Sequence, residues 1–251
     1  MSKNNAVDAL HISERIANFQ NIDQFKSSMD GLLSTLGFDC WAYTVKMPDS
    51  FNGSSFDIIH TWNQEFVDRY RDIHAFHCPR LKHLWQSEVP LIYDKKFTDD
   101  DLKLLRHQPV KVKAVIEEII DFGYHGHGFS LTTHGKHGDK GVLTLQNRDK
   151  RKDGIDAISL SFHIASAFFP LMHMKYIELR GWKPPGSLFP LTERELECLR
   201  WAADGKTAWE TGMVLNVSER TINFHMANAQ KKLMASNKIQ AVARAILYNL
   251  L

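Results

Sequence analysis

LNVSERTINFHMANAQKKL, residues 215–233, decides how this chain is read. Asn216 is one of the few non-glycine residue types that accept a left-handed backbone. Ser218 is a favoured helix N-cap, so a helix is predicted from there to about Leu233. Along it Ile222, Met226, Ala229 and Leu233 fall at i, i+4, i+7 and i+11, one apolar stripe suited to a core. At about 100° per residue the opposite face presents Arg220, Phe224, Ala227 and Lys231, flanked by Thr221, Asn223, Asn228 and Lys232. A Phe and an Ala among Asn, Arg and Lys make a poor solvated surface. They make a good reader of a DNA major groove: Asn bonds an adenine edge, Phe and Ala pack on thymine methyls, and lysines neutralise phosphates.

Working outward, Ala208 to Leu215 predicts a short helix, and the turn after it joins two helices in a helix-turn-helix arrangement. Lys206 and Thr207, at its start, suit positioning against a phosphate backbone. Gly212 in its middle costs roughly 1 kcal/mol against Ala, which predicts close approach of the crossing helix. Thr192 and Glu195 form a capping box ahead of a helix striped with Leu196, Leu199 and Ala203 and stopped by Gly205. Glu195 therefore reads as a cap rather than a catalytic acid. Lys238 to Leu251 is amphipathic through Ile239, Val242, Ala245, Ile246 and Leu250. It is a fourth core helix or, in part, a surface for a second copy, since such modules work as dimers on two half-sites.

Ahead of this region, KYIELRGWKPPGSLFPLT (175–192) packs prolines and glycines at a density that neither helix nor central strand tolerates. The expected organisation is a front domain at 1–174, a linker at 175–187 and an all-α four-helix domain at 188–251. The front domain mixes two periodicities, as an α+β unit should. Ile16, Phe19, Phe25, Met29, Leu32, Leu33 and Leu36 keep helical spacing up to Gly37. CWAYTVKM, FDIIHTW, GFSLTTH and GVLTLQNR read as strands. Helices are expected over Gln64 to Ile73, Pro79 to Ser87, Thr98 to Gln108 and Val110 to Phe122, with a buried one from Ile155 towards Leu179. Strands separated by such helices point to an antiparallel sheet covered on both faces.

Bulk composition excludes more than it assigns. The 251 residues carry 31 Lys and Arg against 29 Asp and Glu, so a nucleic-acid site has to show itself locally. Residues 188–251 hold eight basic and six acidic side chains. Three cysteines, Cys40, Cys78 and Cys198, are odd in number and widely spaced. They make no disulfide framework and suit a reducing, cytoplasmic setting. No stretch approaches the roughly 18 uncharged apolar residues of a membrane span.

LTERELECLRWAADGKT followed by LNVSERTINFHMANAQKKL closely resembles the carboxy-terminal DNA-binding domain of the LuxR family of bacterial quorum-sensing regulators, with Glu195, Leu199 and Gly205 at its hallmark positions. The resemblance places Asn223, Phe224, Ala227 and Lys231 at the groove, and with Lys206, Thr207, Arg220 and Thr221 they make up the expected DNA-binding set. It implies a homodimer on an inverted repeat of double-stranded DNA, with RNA polymerase as a further partner. The front domain resembles the family's autoinducer-binding domain through WNQEFVDRYRDIHAFHCPRL, PLIYD, DFGYHGHGFSLTTHG and GVLTLQ. That implies an α-β-α sandwich holding a small-molecule signal, an acyl-homoserine lactone or another apolar ligand, with Trp62, Phe66, Tyr70, Cys78, Tyr93, Phe129 and Thr144 at the pocket and Phe76 beside them. Tyr70, Pro79 and Thr144 match the family pocket. Phe66 and Tyr93 stand where Trp is usual, and Cys78 stands where an Asp accepts the ligand's amide proton. A carboxylate in that role contributes about 1.5–3 kcal/mol, and a thiol is a weak acceptor. These departures point to a non-standard signal, or to a regulator of the same fold that needs none.

A competing class rests on histidines: His74, His77 and Cys78, then His125 and His127, then His134 and His137. Imidazoles and a thiolate at such spacings suit zinc, in a metal sensor or a hydrolytic enzyme. No segment forms a metal signature such as HExxH, and the surrounding Gly and Lys read as polar loops. The sequence is therefore read as a regulator, with no catalytic residue, resident cofactor or metal.

Overall fold

The structure is a computed structural model that describes residues 9–50, 53–71, 77–87, 89–93, 109–124, 126–147, 155–184 and 190–251. It contains two compact units, the main division along the chain falling between Gly181 and Trp182.

The front unit runs α1 (Ala9–Ala17), α2 (Ile22–Ser34), β1 (Cys40–Ser50), β2 (Gly53–His60), α3 (Gln64–Arg69), α4 (Pro79–Gln86), β3 (Leu91–Tyr93), α5 (Val110–Asp121), β4 (Gly128–His134), β5 (Lys140–Gln146) and α6 (Ile155–Arg180). Its strands form a sheet in the order β2-β1-β5-β4-β3. The β1/β5, β5/β4 and β4/β3 ladders are antiparallel, with Ala42 and Ser130 both opposite Thr144. Because side chains alternate across a strand, this register sets two faces. One carries Cys40, Val142, Thr144 and Gln146 towards α3, α4 and α5. The other carries Tyr43 and Phe129 towards α2 and α6: Tyr43 packs edge-on to Phe169 and Tyr176, and its hydroxyl lies 2.7 Å from His173 Nδ1. Helices on both faces of an antiparallel sheet make the α-β-α sandwich.

The structure differs from the sequence reading at several points. The apolar run from Ile16 is two helices, because Asn21 caps α2: its side chain accepts from Gln24 N at 2.8 Å, while Gln24 Oε1 accepts from Gln20 N at 2.9 Å. Leu91–Tyr93 adds a short edge strand. The helix from Ile155 is half-buried, since Phe168, Phe169, Met172 and Tyr176 face inward while Leu160 and Met174 are exposed. It continues to Arg180, through the first residues of the expected linker. The helix expected at Thr98 to Gln108 lies outside the described residues.

The rear unit consists, among the described residues, of α7 (Glu193–Ala203), α8 (Ala208–Leu215), α9 (Glu219–Lys232) and α10 (Lys238–Leu247). Cys198, Leu199, Ile222, Met226, Ala229, Leu233, Ala241 and Ala245 form its core. Each helix opens on a side-chain cap: Thr192, Thr207, Ser218 and Asn237 accept from the backbone N–H three residues on. Each such cap contributes typically about 1 kcal/mol. Glu195 completes its capping box and also takes Lys232 Nζ at 2.8 Å, tying α7 to the end of α9. In α10, Ala241 and Ala245 face the core, whereas Ile239 and Ile246 are exposed on the other side. No helix among the described residues is long and apolar enough to cross a membrane.

Candidate functional site

In the rear unit the turn before α9 is built as its residues dictate. Asn216 ends α8 in the left-handed region, at φ 54° and ψ 47°. A Cβ on Gly212 would stand 2.7 Å from the Val217 carbonyl oxygen in the turn and 3.4 Å from Glu219 N at the start of the crossing α9, so the backbone of the turn and of that helix's first residue requires the glycine. Ser218 then caps α9 through Thr221 N at 3.1 Å.

The two faces of α9 separate cleanly. Ile222, Met226 and Ala229 are buried. Arg220, Asn223, Phe224, Ala227 and Lys231 are exposed, Phe224 at 62%. Thr221 is half-buried, its hydroxyl 2.8 Å from that of Ser218. Lys206 is half-buried ahead of α8, and its carbonyl accepts from Lys238 Nζ at 2.9 Å. Thr207 is exposed and caps α8. Its hydroxyl accepts from Glu210 N and donates to Glu210 Oε2, and its own N–H donates to the same carboxylate. The TxxE spacing of Thr207 and Glu210, a second capping box, was the signal for this. Lys232 is likewise held inside the protein, by Glu195 and the Pro190 carbonyl.

The front unit holds a pocket on the α3–α5 face of the sheet, and six of the expected residues line it: Trp62, Phe66, Tyr70, Cys78, Tyr93 and Thr144. Trp62, Phe66 and Tyr70 fall four residues apart where α3 begins, a start fixed by Asn63, whose side chain accepts from Glu65 N and Phe66 N. Their rings pack on one another and on Tyr124, with Phe66 and Tyr124 centroids 4.9 Å apart and Trp62 and Tyr124 5.2 Å apart. Opposite them, the Tyr93 hydroxyl bonds Ser130 Oγ, which lies 2.6 Å from Thr144 Oγ1. The Arg80 guanidinium sits 4.9 Å above the Tyr93 ring. The Tyr70 hydroxyl is held well above the usual phenol range, first by burial and then by the Cys78 thiol to which it is hydrogen-bonded. The space left between these side chains is about 40 Å³. That holds a few waters, and an acyl chain enters only if the surrounding side chains move apart.

Phe129 does not belong to this pocket. It points to the opposite face, edge-on to Phe38 and Phe162, because β4 turns Ser130 and not Phe129 towards Thr144. The lining residues that sequence left out include Thr44, Arg80, Tyr124 and Gln146, and Ser130 stands behind the lining, bonded to Tyr93 and Thr144. Gln146 was accessible by counting two on from Thr144. Tyr124 is brought back onto α5 by Gly123 at φ 77°, its N–H donating to the Ile119 carbonyl. Phe76, His74 and His125 lie outside the described residues. Among the described residues no three His, Cys, Asp or Glu side chains stand together as metal ligands.

Comparison with known proteins covers both units. Residues 21–175 match the autoinducer binding domain and residues 189–245 match the bacterial regulatory proteins of the luxR family. The transcriptional activator protein VanR of Vibrio anguillarum is 28% identical over 227 residues, 90% of each chain. The transcriptional activator protein SolR of Ralstonia solanacearum is 30% identical over 217 residues, 84% of this chain and 85% of that one. In fold, Escherichia coli SdiA superposes with a TM-score of 0.74 at 21% identity, over 96% of this chain and 97% of its own. A structure of SdiA in complex with octanoyl-rac-glycerol gives a TM-score of 0.71 at 22% identity, over 96% and 94%.

Proposed function

The chain belongs to the luxR family of bacterial regulatory proteins, and from that premise we infer a cytoplasmic transcriptional activator that binds an inverted repeat of DNA as a homodimer and responds to a small acyl signal. The observation that carries the DNA reading is the exposed face of α9, where Phe224 stays in water beside Asn223, Ala227, Arg220 and Lys231 while the opposite face holds the core. Asn223 and Phe224 contact base edges and methyls, and Arg220 and Lys231 contact phosphates. Lys206 supports the backbone contact from the start of α8. Exposed Ile239 and Ile246 on α10 supply an apolar surface for the second copy, which positions two copies of α9 on successive half-sites. RNA polymerase is the partner that an activator bound beside a promoter recruits.

The signal reading rests on the pocket's composition. Its described lining contains Arg80 and no Asp or Glu, so an amide proton finds no carboxylate there. The complex of SdiA with octanoyl-rac-glycerol, an acyl ester with no amide proton, supports that class as the signal. The close ring packing favours a second reading, a regulator whose front core is complete without a signal and which binds DNA unaided.

Selection from a randomised duplex pool by the full-length protein, with and without octanoyl-rac-glycerol, tests both. Enrichment of an inverted repeat that strengthens with the lipid supports the sensor. Equal enrichment in both arms supports the unaided regulator. No enrichment in either removes the DNA assignment, and undiminished enrichment by Phe224→Ala removes Phe224 from the interface.

A further inference from the structure

Two side chains in the front pocket carry buried polar atoms with no hydrogen-bond partner among the described residues: the indole Nε1 of Trp62 and the side-chain Oε1 of Gln146. Native structures keep few such atoms, because an unpaired donor or acceptor loses its water without replacement. The two are of opposite kind. Trp62 offers only a donor, and Gln146, 3% exposed at the end of β5, offers a free acceptor. Both line the same cavity and both abut Tyr124. The Trp62 ring lies over the Tyr124 ring, and Gln146 Nε2 donates to the Tyr124 carbonyl at 3.4 Å, which fixes which end of the amide remains open.

We propose that Gln146 and Trp62 form the head-group clamp of the pocket, Gln146 Oε1 accepting from a ligand O–H or N–H while Trp62 Nε1 donates to the adjacent acyl oxygen. The assignment rests on the sensor reading and deepens it. Cys78, engaged with Tyr70, is too weak an acceptor to orient a head group, and Gln146 supplies the acceptor from the sheet instead. An uncharged amide takes a hydroxyl as readily as an amide proton. The pocket therefore selects acyl compounds that carry a hydrogen-bond donor near the carbonyl, monoacylglycerols and N-acyl amides alike, and rejects simple esters. A buried group built to bond a donor discriminates strongly against a ligand lacking one, since its own polar atom is then left unpaired.

Calorimetric titration of the full-length protein with three probes tests this: octanoyl-rac-glycerol with its hydroxyls, N-octanoyl homoserine lactone with its amide proton, and methyl octanoate with neither. The first two are expected to bind at least about tenfold more tightly than the third, the worth of one hydrogen bond at roughly tenfold per 1.4 kcal/mol. Gln146→Met closes that gap. Gln146→Glu, which keeps a carboxyl oxygen in place, preserves it. Trp62→Phe weakens all three probes by a similar factor and leaves the gap intact. Binding of methyl octanoate as tight as that of the others, or a gap that survives Gln146→Met, overturns the clamp while the sensor stands. If the wild-type protein binds none of the three, the sensor reading falls with it.

Discussion

Phe66 and Phe224 each lie early in a helix opened by a side-chain cap, Asn63 in one case and Ser218 in the other, yet the first is 1% exposed and the second 62%. Around Phe66 the rings of Trp62, Tyr70, Phe122 and Tyr124 stand 4.9–5.5 Å away. Phe224 has the ring of the adjacent His225 at 5.6 Å, and the core of its own helix faces the other way. One ring stabilises the protein by leaving water. The other contributes little to folding, and its place among Asn, Arg and Lys suits the proposed contact with a duplex. The largest expected effects follow from that contrast. Phe66→Ala should destabilise the front unit by about 3–5 kcal/mol in denaturant titration. Phe224→Ala should stay within about 0.5 kcal/mol of wild type in the same titration and lose affinity for the selected duplex. A large stability loss at Phe224 would break the distinction.

The same contrast explains what could be read from the sequence. A helix face repeats over three or four residues, so the core stripe and exposed face of α9, the Asn216 turn and the Thr192 cap were all written locally. The sheet face was not. In β4, Phe129 and Ser130 are adjacent, and helices cover both sides, so alternation alone does not say which of the two meets the pocket. Only the pairing of Ser130 with Thr144 decides it, and that pairing joins residues on separate strands. Tyr124 and Arg80 were missed for a related reason, since they enter the pocket from α5's end and from α4, after chain reversals that local pattern does not fix. Where a local signal did exist, as in the TxxE of Thr207 and Glu210 or the Asn21 and Gln24 cap, it was overshadowed by a neighbouring pattern.

Two helical glycines give the next largest effect, one in each unit. A Cβ on Gly212 would press on the Val217 carbonyl oxygen at 2.7 Å, a backbone atom held by the turn, whereas a Cβ on Gly31 in α2 meets nothing within 4 Å. Gly212→Ala should therefore cost about 1–3 kcal/mol of rear-unit stability despite the better helix propensity of Ala. Gly31→Ala should raise front-unit stability by up to about 1 kcal/mol. Thermal unfolding of the two variants reads both signs, and a neutral Gly212→Ala would mean that the turn yields easily.

Acid reaches the rear unit through Glu195. Burial alone would raise its pKa, but the hydrogen bond from Lys232 and the backbone N–H of Thr192 outweigh it, and the carboxyl is held below its ordinary value. A group depressed on folding contributes stability above its unfolded pKa and loses it as pH falls through the folded one. Rear-unit melting should thus decline as pH drops below the ordinary carboxylate range. Glu195→Gln should be less stable at neutral pH and show a flatter acid decline. An unchanged acid profile in that variant would assign the sensitivity elsewhere.

The smallest effect separates two adjacent lysines. Lys231 is exposed on the α9 face, while Lys232 Nζ lies 2.8 Å from Glu195 Oε2 and 3.0 Å from the Pro190 carbonyl oxygen. If Lys231 neutralises one phosphate, Lys231→Ala removes one released counterion. The slope of log affinity against log salt then falls by about one unit, equally on selected and unrelated duplexes, with folding stability unchanged. Lys232→Ala should do the reverse: it leaves Glu195 buried without its cation, lowers the melting temperature, and keeps the salt slope of the protein that remains folded. Were both variants to change the slope alike, Lys232 would have to leave Glu195 on DNA, and the end of α9 would be remodelled by the duplex rather than presented to it ready-formed.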